Sequence, residues 1–384
     1  MMFQSSASLL TVDTPCLVLH GGKMDRNIKR LRTHLGADGP ALRPHLKTAK
    51  SVPVASRVMG GVMGPATVST LKEAEQFAAA GIRDMIYAVG IAPGKLDRVV
   101  ALRASGIDLA VILDTPEQAL LVVDASQRAG IAIPALIEID SDGHRAGVAP
   151  ADTNTLLAIA RLLCDGGAEL RGVLTHAGGS YQARSPKDLP AWAERERAAA
   201  VSCAATLRAA GLPCPVVSVG STPTALFGRD FSGVTEVRAG VFVFFDLVMA
   251  GIGVCQVDDI ALSVLATVIG HQPARGWVLV DAGWMALSRD RGTAGQDIDQ
   301  GYGLVCDIHG RPCDDLIIVG ANQEHAMIGA RDGGFNPLLD LPIGTRVRIL
   351  PNHACATAAQ HDHYQVVEEG SLNVVAKWPR FGGW

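Results

Sequence analysis

The first segment able to do chemistry is Arg43-Pro44-His45-Leu46-Lys47-Thr48-Ala49-Lys50, three cations in eight residues. A lysine held in a desolvated mouth beside other cations gives up its proton more readily. An amine so tuned adds to an aldehyde and forms a Schiff base. A solvated basic turn has the same spacing. The second segment is Val219-Gly220-Ser221-Thr222-Pro223-Thr224. Its glycine lets backbone approach a ligand, its hydroxyls add donors, and a helix starting there would favour an anion. An ordinary capped turn is the plainer alternative. Thr175-His176-Ala177-Gly178-Gly179-Ser180-Tyr181 offers an imidazole and a phenol, His176 and Tyr181, that can face one mouth. Glu138-Ile139-Asp140 runs on to His144-Arg145, where Arg145 can meet a phenolate or a carboxylate, or simply close a loop salt bridge.

The last candidate is Pro351-Asn352-His353-Ala354-Cys355. In extended chain His353 and Cys355 share a face, and imidazole plus thiolate suits zinc. Two ligands do not complete a site, so His361, Asp362 and His363 are candidates for a third. A structural histidine near a buried cysteine reads the same way.

Positioning such groups requires a scaffold. Eight β-rich runs, 41–47, 66–70, 84–89, 108–113, 134–140, 170–176, 216–221 and 236–244, alternate with helical segments. Among those segments 71–81 ends on glycine, 115–130 opens on Thr-Pro and ends on glycine, and 188–211 is long and alanine-rich. The pattern predicts an α/β chain built on a (β/α)8 TIM-like barrel. A doubly wound open sheet competes, but no G-x-G-x-x-G follows the first strand. In a barrel Lys47 would close the first strand, at the catalytic end, and the Gly220 turn would follow the seventh, where phosphates are often held.

Beyond about residue 255 the runs 261–269, 277–280, 316–319, 346–350 and 365–367 are β-rich and separated by glycine and proline turns. The run 14–19 can join them. The expected division is a barrel over 21–250 and a mainly β domain over 1–20 plus 251–384.

Hydrophobic residues make up 48% and charged residues 19% of 384, enough for a large core. A net charge of −4 argues against a surface that tracks nucleic-acid phosphates. The eight cysteines form no C-x-x-C pair, which suits reduced thiols in a cytoplasmic protein. Residues 1–14 lack a signal-peptide pattern, and the apolar stretch 241–254 contains Asp246 and is too short to span a bilayer. The expectation is a cytoplasmic protein with no nucleic-acid or membrane partner.

Together these segments resemble the D-serine dehydratase and D-threonine aldolase family, with its alanine-racemase-like barrel, over nearly the whole chain. The resemblance implies pyridoxal 5'-phosphate as cofactor, with Lys47 as its Schiff-base lysine. It implies a phosphate loop at Gly220, Ser221 and Thr222, and cofactor contacts from Arg145, His176 and Tyr181. His353-x-Cys355 matches the family's metal pair, for zinc, manganese, magnesium or cobalt, thiolate favouring zinc. The aldolase branch carries His-x-Asp there, so Cys355 resembles the dehydratase branch. Ala49 stands where many relatives have histidine, which leaves room for a second substrate carboxylate. The implied activity is elimination of water from a D-3-hydroxy amino acid, foremost D-threo-3-hydroxyaspartate to oxaloacetate and ammonia. D-Serine dehydration, aldol cleavage of D-threonine or 3-hydroxyaspartate with the same cofactors, and non-catalytic cofactor binding are the alternatives. A homodimer is the implied assembly.

Overall fold

The computed structural model describes residues 7–334 and 341–384. The chain divides into two compact units, residues 31–240 with 383–384, and residues 1–30 with 241–382.

The first unit holds eight parallel strands: Ala41–Leu42, Ala66–Val68, Asp84–Gly90, Asp108–Leu113, Pro134–Ile139, Glu169–Thr175, Val216–Val219 and Glu236–Val237. In sheet order the first strand lies beside the eighth, and the rest follow in descending sequence to the second. The ring closes between the first and second strands through a parallel bridge, His45 to Thr67. Leu46 N donates to Thr67 O at 2.9 Å, and Thr67 N donates to Pro44 O at 2.9 Å. The sheet is therefore the expected TIM-like barrel. Ile86, Ala110, Ile112, Leu136 and Leu174 form one buried cluster on it.

Local chemistry explains the crossover helices. Thr70 caps Leu71–Ala79 by accepting from Glu73 N, and Thr115 caps Pro116–Ala129 by accepting from Gln118 N. Each such cap is worth about 1 kcal/mol. The second helix stops at Gly130, whose φ of 63° is the left-handed conformation glycine adopts without strain.

Two of the expected strands are much shorter than the runs that suggested them. The first ends at Leu42, and Pro44, which has no N–H, can offer the second strand only its carbonyl, which accepts from Thr67 N. Backbone bonds to the eighth strand continue past Leu42, from Arg43 N to Val237 O at 2.9 Å and from His45 N to Ala239 O at 2.8 Å, and Lys47 lies in the turn after His45. The eighth stops at Val237, and Val241–Val243 is a 3-10 turn. A fully buried apolar run carries no period to separate strand from turn.

The second unit is a nine-stranded sheet. It contains Cys16–His20, which pairs antiparallel with Leu262–Gln272 and parallel with His363–Val367. The early run thus joins the β-rich part as expected. Trp277–Val280 and Arg346–Leu350 form as strands, whereas Leu304–Cys306, Ala326–Ala330 and Val374–Pro379 are additional. Among the described residues no helix is long and apolar enough to cross a membrane.

Candidate functional site

Within the barrel unit, the ends of the strands carry the candidate residues. Lys47 is exposed in the turn that follows His45. The Nε2 of His45 is 3.4 Å from Ser69 Oγ, and its Nδ1 is buried without a hydrogen-bond partner. Burial, then the charges of Lys47 and Arg238, hold the His45 imidazole far below the usual range. His176 follows the sixth strand. Its Nδ1 is 2.8 Å from Gly220 O, so Nδ1 carries the proton and donates. Burial lowers its pKa to about 3, against the Gly220 hydrogen bond and with help from Lys47, Arg145 and Arg238. Both rings are therefore neutral, and Lys47 and Arg238 act on both. The His176 and Tyr181 rings lie 6.1 Å apart, tilted by 41°.

The Gly220 turn follows the seventh strand. Gly220 has φ +142°, and a Cβ there would stand 2.0 Å from Arg238 O, so only glycine fits. Ser221 caps Thr222–Phe227 in a capping box with Thr224. Its Oγ lies 2.9 Å from Ser180 Oγ. Ser221 and Thr222 are buried.

Arg145 donates to Glu138 Oε1 at 3.2 Å. Burial raises the Glu138 carboxyl, and Arg145 opposes that shift.

Two residues in this region escaped the sequence reading. Arg238, just past the eighth strand, is buried and donates to Ser218 Oγ and Thr175 O, each at 2.6 Å. Burial pulls its guanidinium down to about 10, against the charges of Glu236, Glu196 and Glu138. A lone arginine between Val237 and Ala239-Gly240 was the available signal. Glu196, on Leu189–Ala209, is 2% exposed. Burial raises its carboxyl, while hydrogen bonds from Thr224, Ala177 and Gly220 lower it.

In the β-rich unit, His353 and Cys355 are not an extended pair. His353 is the N-cap of the short helix Ala354–Ala358, and Cys355 sits in its first turn. Helix geometry replaces the face-sharing expected of a strand, yet a side-chain hydrogen bond still links the two. His353 Nδ1 is 3.2 Å from Asp290 Oδ2. Burial alone would lower the imidazole pKa, but Asp290, Cys355 and Asp246 raise it to about 11. Asp246 is buried and accepts from Met249 N and Ala354 N, each at 3.0 Å.

The candidates for a third ligand are engaged elsewhere. His361 Nε2 bonds Ala286 O at 3.0 Å, and His363 pairs with Asp362. Among the described residues no three His, Cys, Asp or Glu side chains form a metal-binding group.

Comparison with known proteins places these residues in context. Residues 19–248 match the family model of the alanine racemase N-terminal domain, and residues 261–367 match a serine dehydratase domain. D-threo-3-hydroxyaspartate dehydratase of Delftia sp. strain HT23 is 56% identical over 98% of this chain and 99% of its own. Its solved structure superimposes with a TM-score of 0.95 at 55% identity, covering 98% of this chain and 100% of that one. A cysteine-to-alanine variant of a D-threo-3-hydroxyaspartate dehydratase has been solved in a metal-free form, with a TM-score of 0.96 at 55% identity over 98% of this chain and 100% of that one. D-serine dehydratase of Dictyostelium discoideum is 29% identical over 95% of this chain and 96% of its own. The chain belongs to the alanine racemase N-terminal domain family, in the branch that joins this barrel to a serine dehydratase domain.

Proposed function

We propose that the protein is a pyridoxal-phosphate- and divalent-metal-dependent dehydratase that converts D-threo-3-hydroxyaspartate to oxaloacetate and ammonia. The observation that carries this reading is the 56% identity, along 98% of the chain, to a dehydratase of that substrate.

The residues present fit both groups. Gly220 packs on the Arg238 backbone too closely for any Cβ, which holds the turn that leads into the N-terminus of Thr222–Phe227. The buried Nδ1 of His45 lacks a partner, and the cations of Lys47, Arg145 and Arg238 act together on His176. Pyridoxal phosphate would be held by Lys47, by Gly220, Ser221 and Thr222, and by Arg145, His176 and Tyr181. The β-rich unit offers an imidazole backed by a carboxylate, and a thiol hydrogen-bonded to that imidazole. His353 and Cys355 would hold the metal, zinc being the best match to the thiolate. The proposed division follows: barrel residues 21–250 serve the cofactor, and 1–20 with 251–384 carry the metal pair. When bound, the cofactor spreads the charge left at Cα and the metal acts as a Lewis acid on the departing hydroxide.

The chain's own residues do the rest. The Lys47 amine takes the Cα proton and holds it on Nζ. Neutral His176, its Nδ1 proton fixed on Gly220 O, presents Nε2 as an acceptor. Glu196 fixes the backbone on both sides of this group. A homodimer and a cytoplasmic location belong to the same proposal.

The test is product analysis with D-threo-3-hydroxyaspartate, D-serine and D-threonine. Oxaloacetate and ammonia from the first, with slower or no turnover of the others, is expected. Glycine plus an aldehyde would replace the reading with aldol cleavage. Bound cofactor with no turnover of any D-amino acid would make the protein a binder only.

A further inference from the structure

We propose that Asp290 is a positioning residue that fixes the His353 ring with its proton on Nδ1, so that Nε2 is the metal-binding atom. This rests on the reading of His353 and Cys355 as the metal pair.

The geometry is local. Asp290 Oδ2 lies 3.2 Å from His353 Nδ1. A carboxylate can only accept, so the imidazole must donate through Nδ1. A metal ion then has one ring atom left to bind, and the negative charge behind the ring makes that atom a better donor.

Asp290 is itself held so that it cannot swing away. Its other oxygen, Oδ1, accepts from Gly292 N at 2.7 Å. Its backbone N–H donates to Ser288 Oγ at 3.2 Å. Its backbone carbonyl accepts from Asn352 Nδ2 at 3.0 Å. Asn352 is buried, and the same amide also donates to Gly301 O at 2.8 Å and accepts from the Thr293 hydroxyl at 3.0 Å.

Asn352 immediately precedes His353 in the chain. One side chain therefore anchors the Asp290 loop to the residue before the ligand, and Asp290 reaches back to the ligand itself. On the far side, Asp246 Oδ2 accepts Ala354 N at 3.0 Å and pins the residue after it. The turn from 352 to 354 is thus clamped by three side chains, of which only Asp290 touches the imidazole. That contact gives Asp290 a role beyond folding the loop: it selects the tautomer.

The experiment is a cobalt(II) titration of chelator-treated, cofactor-loaded protein, read by the thiolate-to-cobalt absorption band. The wild type is expected to bind cobalt with a band that Cys355→Ala abolishes. Asp290→Asn is expected to bind about 10- to 100-fold more weakly, with unchanged cofactor absorption and unfolding temperature. Wild-type affinity in Asp290→Asn would overturn the role of Asp290 and leave the metal pair standing. No cobalt binding by the wild type would overturn the metal pair and this proposal with it. A measurement on the wild type needs no variant to fold: nitrogen-15 NMR of labelled histidine in the zinc-loaded protein. A protonated Nδ1 and a metal-bound Nε2 on His353 are expected, and the reverse assignment would overturn the proposal.

Discussion

Glu196 Oε1 accepts the backbone N–H of Gly220 at 3.1 Å, and the same oxygen accepts that of Ala177 at 2.8 Å. One buried carboxylate on a helix thereby ties together the turns that follow the sixth and seventh strands. Glu196→Ala strands two buried donors, each worth about 1–3 kcal/mol. The expected result is a lower unfolding temperature and weaker cofactor retention in dialysis. Glu196→Gln keeps an acceptor and is expected to fall between the two. Equal cofactor retention in all three proteins would remove Glu196 from the site.

Gly220→Ala is expected to be more disruptive than its size suggests. The position has φ +142°, and the new Cβ would meet Arg238 O at 2.0 Å. Such backbone strain costs about 1–3 kcal/mol before the clash is counted. Chemical denaturation should show that loss, together with weakened cofactor binding. A variant as stable as the wild type would contradict the conformation described for the turn.

Asp108 gives a pH dependence with a definite sign. Burial would raise its carboxyl, but Arg171 and Arg103 hold it below the usual carboxylate range. Arg171 Nη1 and Nη2 reach its two oxygens at 2.8 and 3.1 Å. A folded pKa below the unfolded one means that the unfolded chain binds the proton more readily. The stabilisation is present above the unfolded pKa and is lost as pH falls through the folded value. Asp108→Asn should therefore lower stability near neutral pH and reduce the further loss on acidification. Parallel stability-versus-pH curves for the two proteins would refute this.

The proposed chemistry separates two residues by their readouts. Lys47→Ala should abolish both turnover and the visible band of lysine-bound cofactor. Cys355→Ala should keep the band and lose elimination, as should prolonged chelation. Full turnover of metal-free protein would remove the metal from the reaction.

The parts of this molecule that were legible in sequence are those governed by local rules. The strand Asp108–Leu113 and the helix Pro116–Ala129 sit where β-branched runs, a Thr-Pro start and a terminal glycine place them. Lys47 and the Gly220 turn could be read as candidates because each combines a reactive or donor group with a strand end. The residues that escaped acquire their meaning only from tertiary contacts. Glu196 lies in Trp192-Ala193-Glu194-Arg195-Glu196-Arg197, which reads as a solvated charged face. Folding buries Glu196 and leaves Glu194 to pair with Arg197 on the surface. Asp290 lies in Ser288-Arg289-Asp290-Arg291, indistinguishable in sequence from a charged loop until Asn352 and His353 are brought to it.

The seam between His45 and Thr67 bears on how the protein is made. The first strand is flanked on its other edge by Glu236–Val237, so Ala41 pairs with Glu236. A growing polypeptide that has not yet reached Glu236 leaves this edge bare, and a bare strand edge is a template for wrong partners. Residues 41 to 48, with Lys47 among them, are then held from one side only. If Lys47 takes the aldehyde cofactor as proposed, capture is expected only after the last barrel strand has left the ribosome.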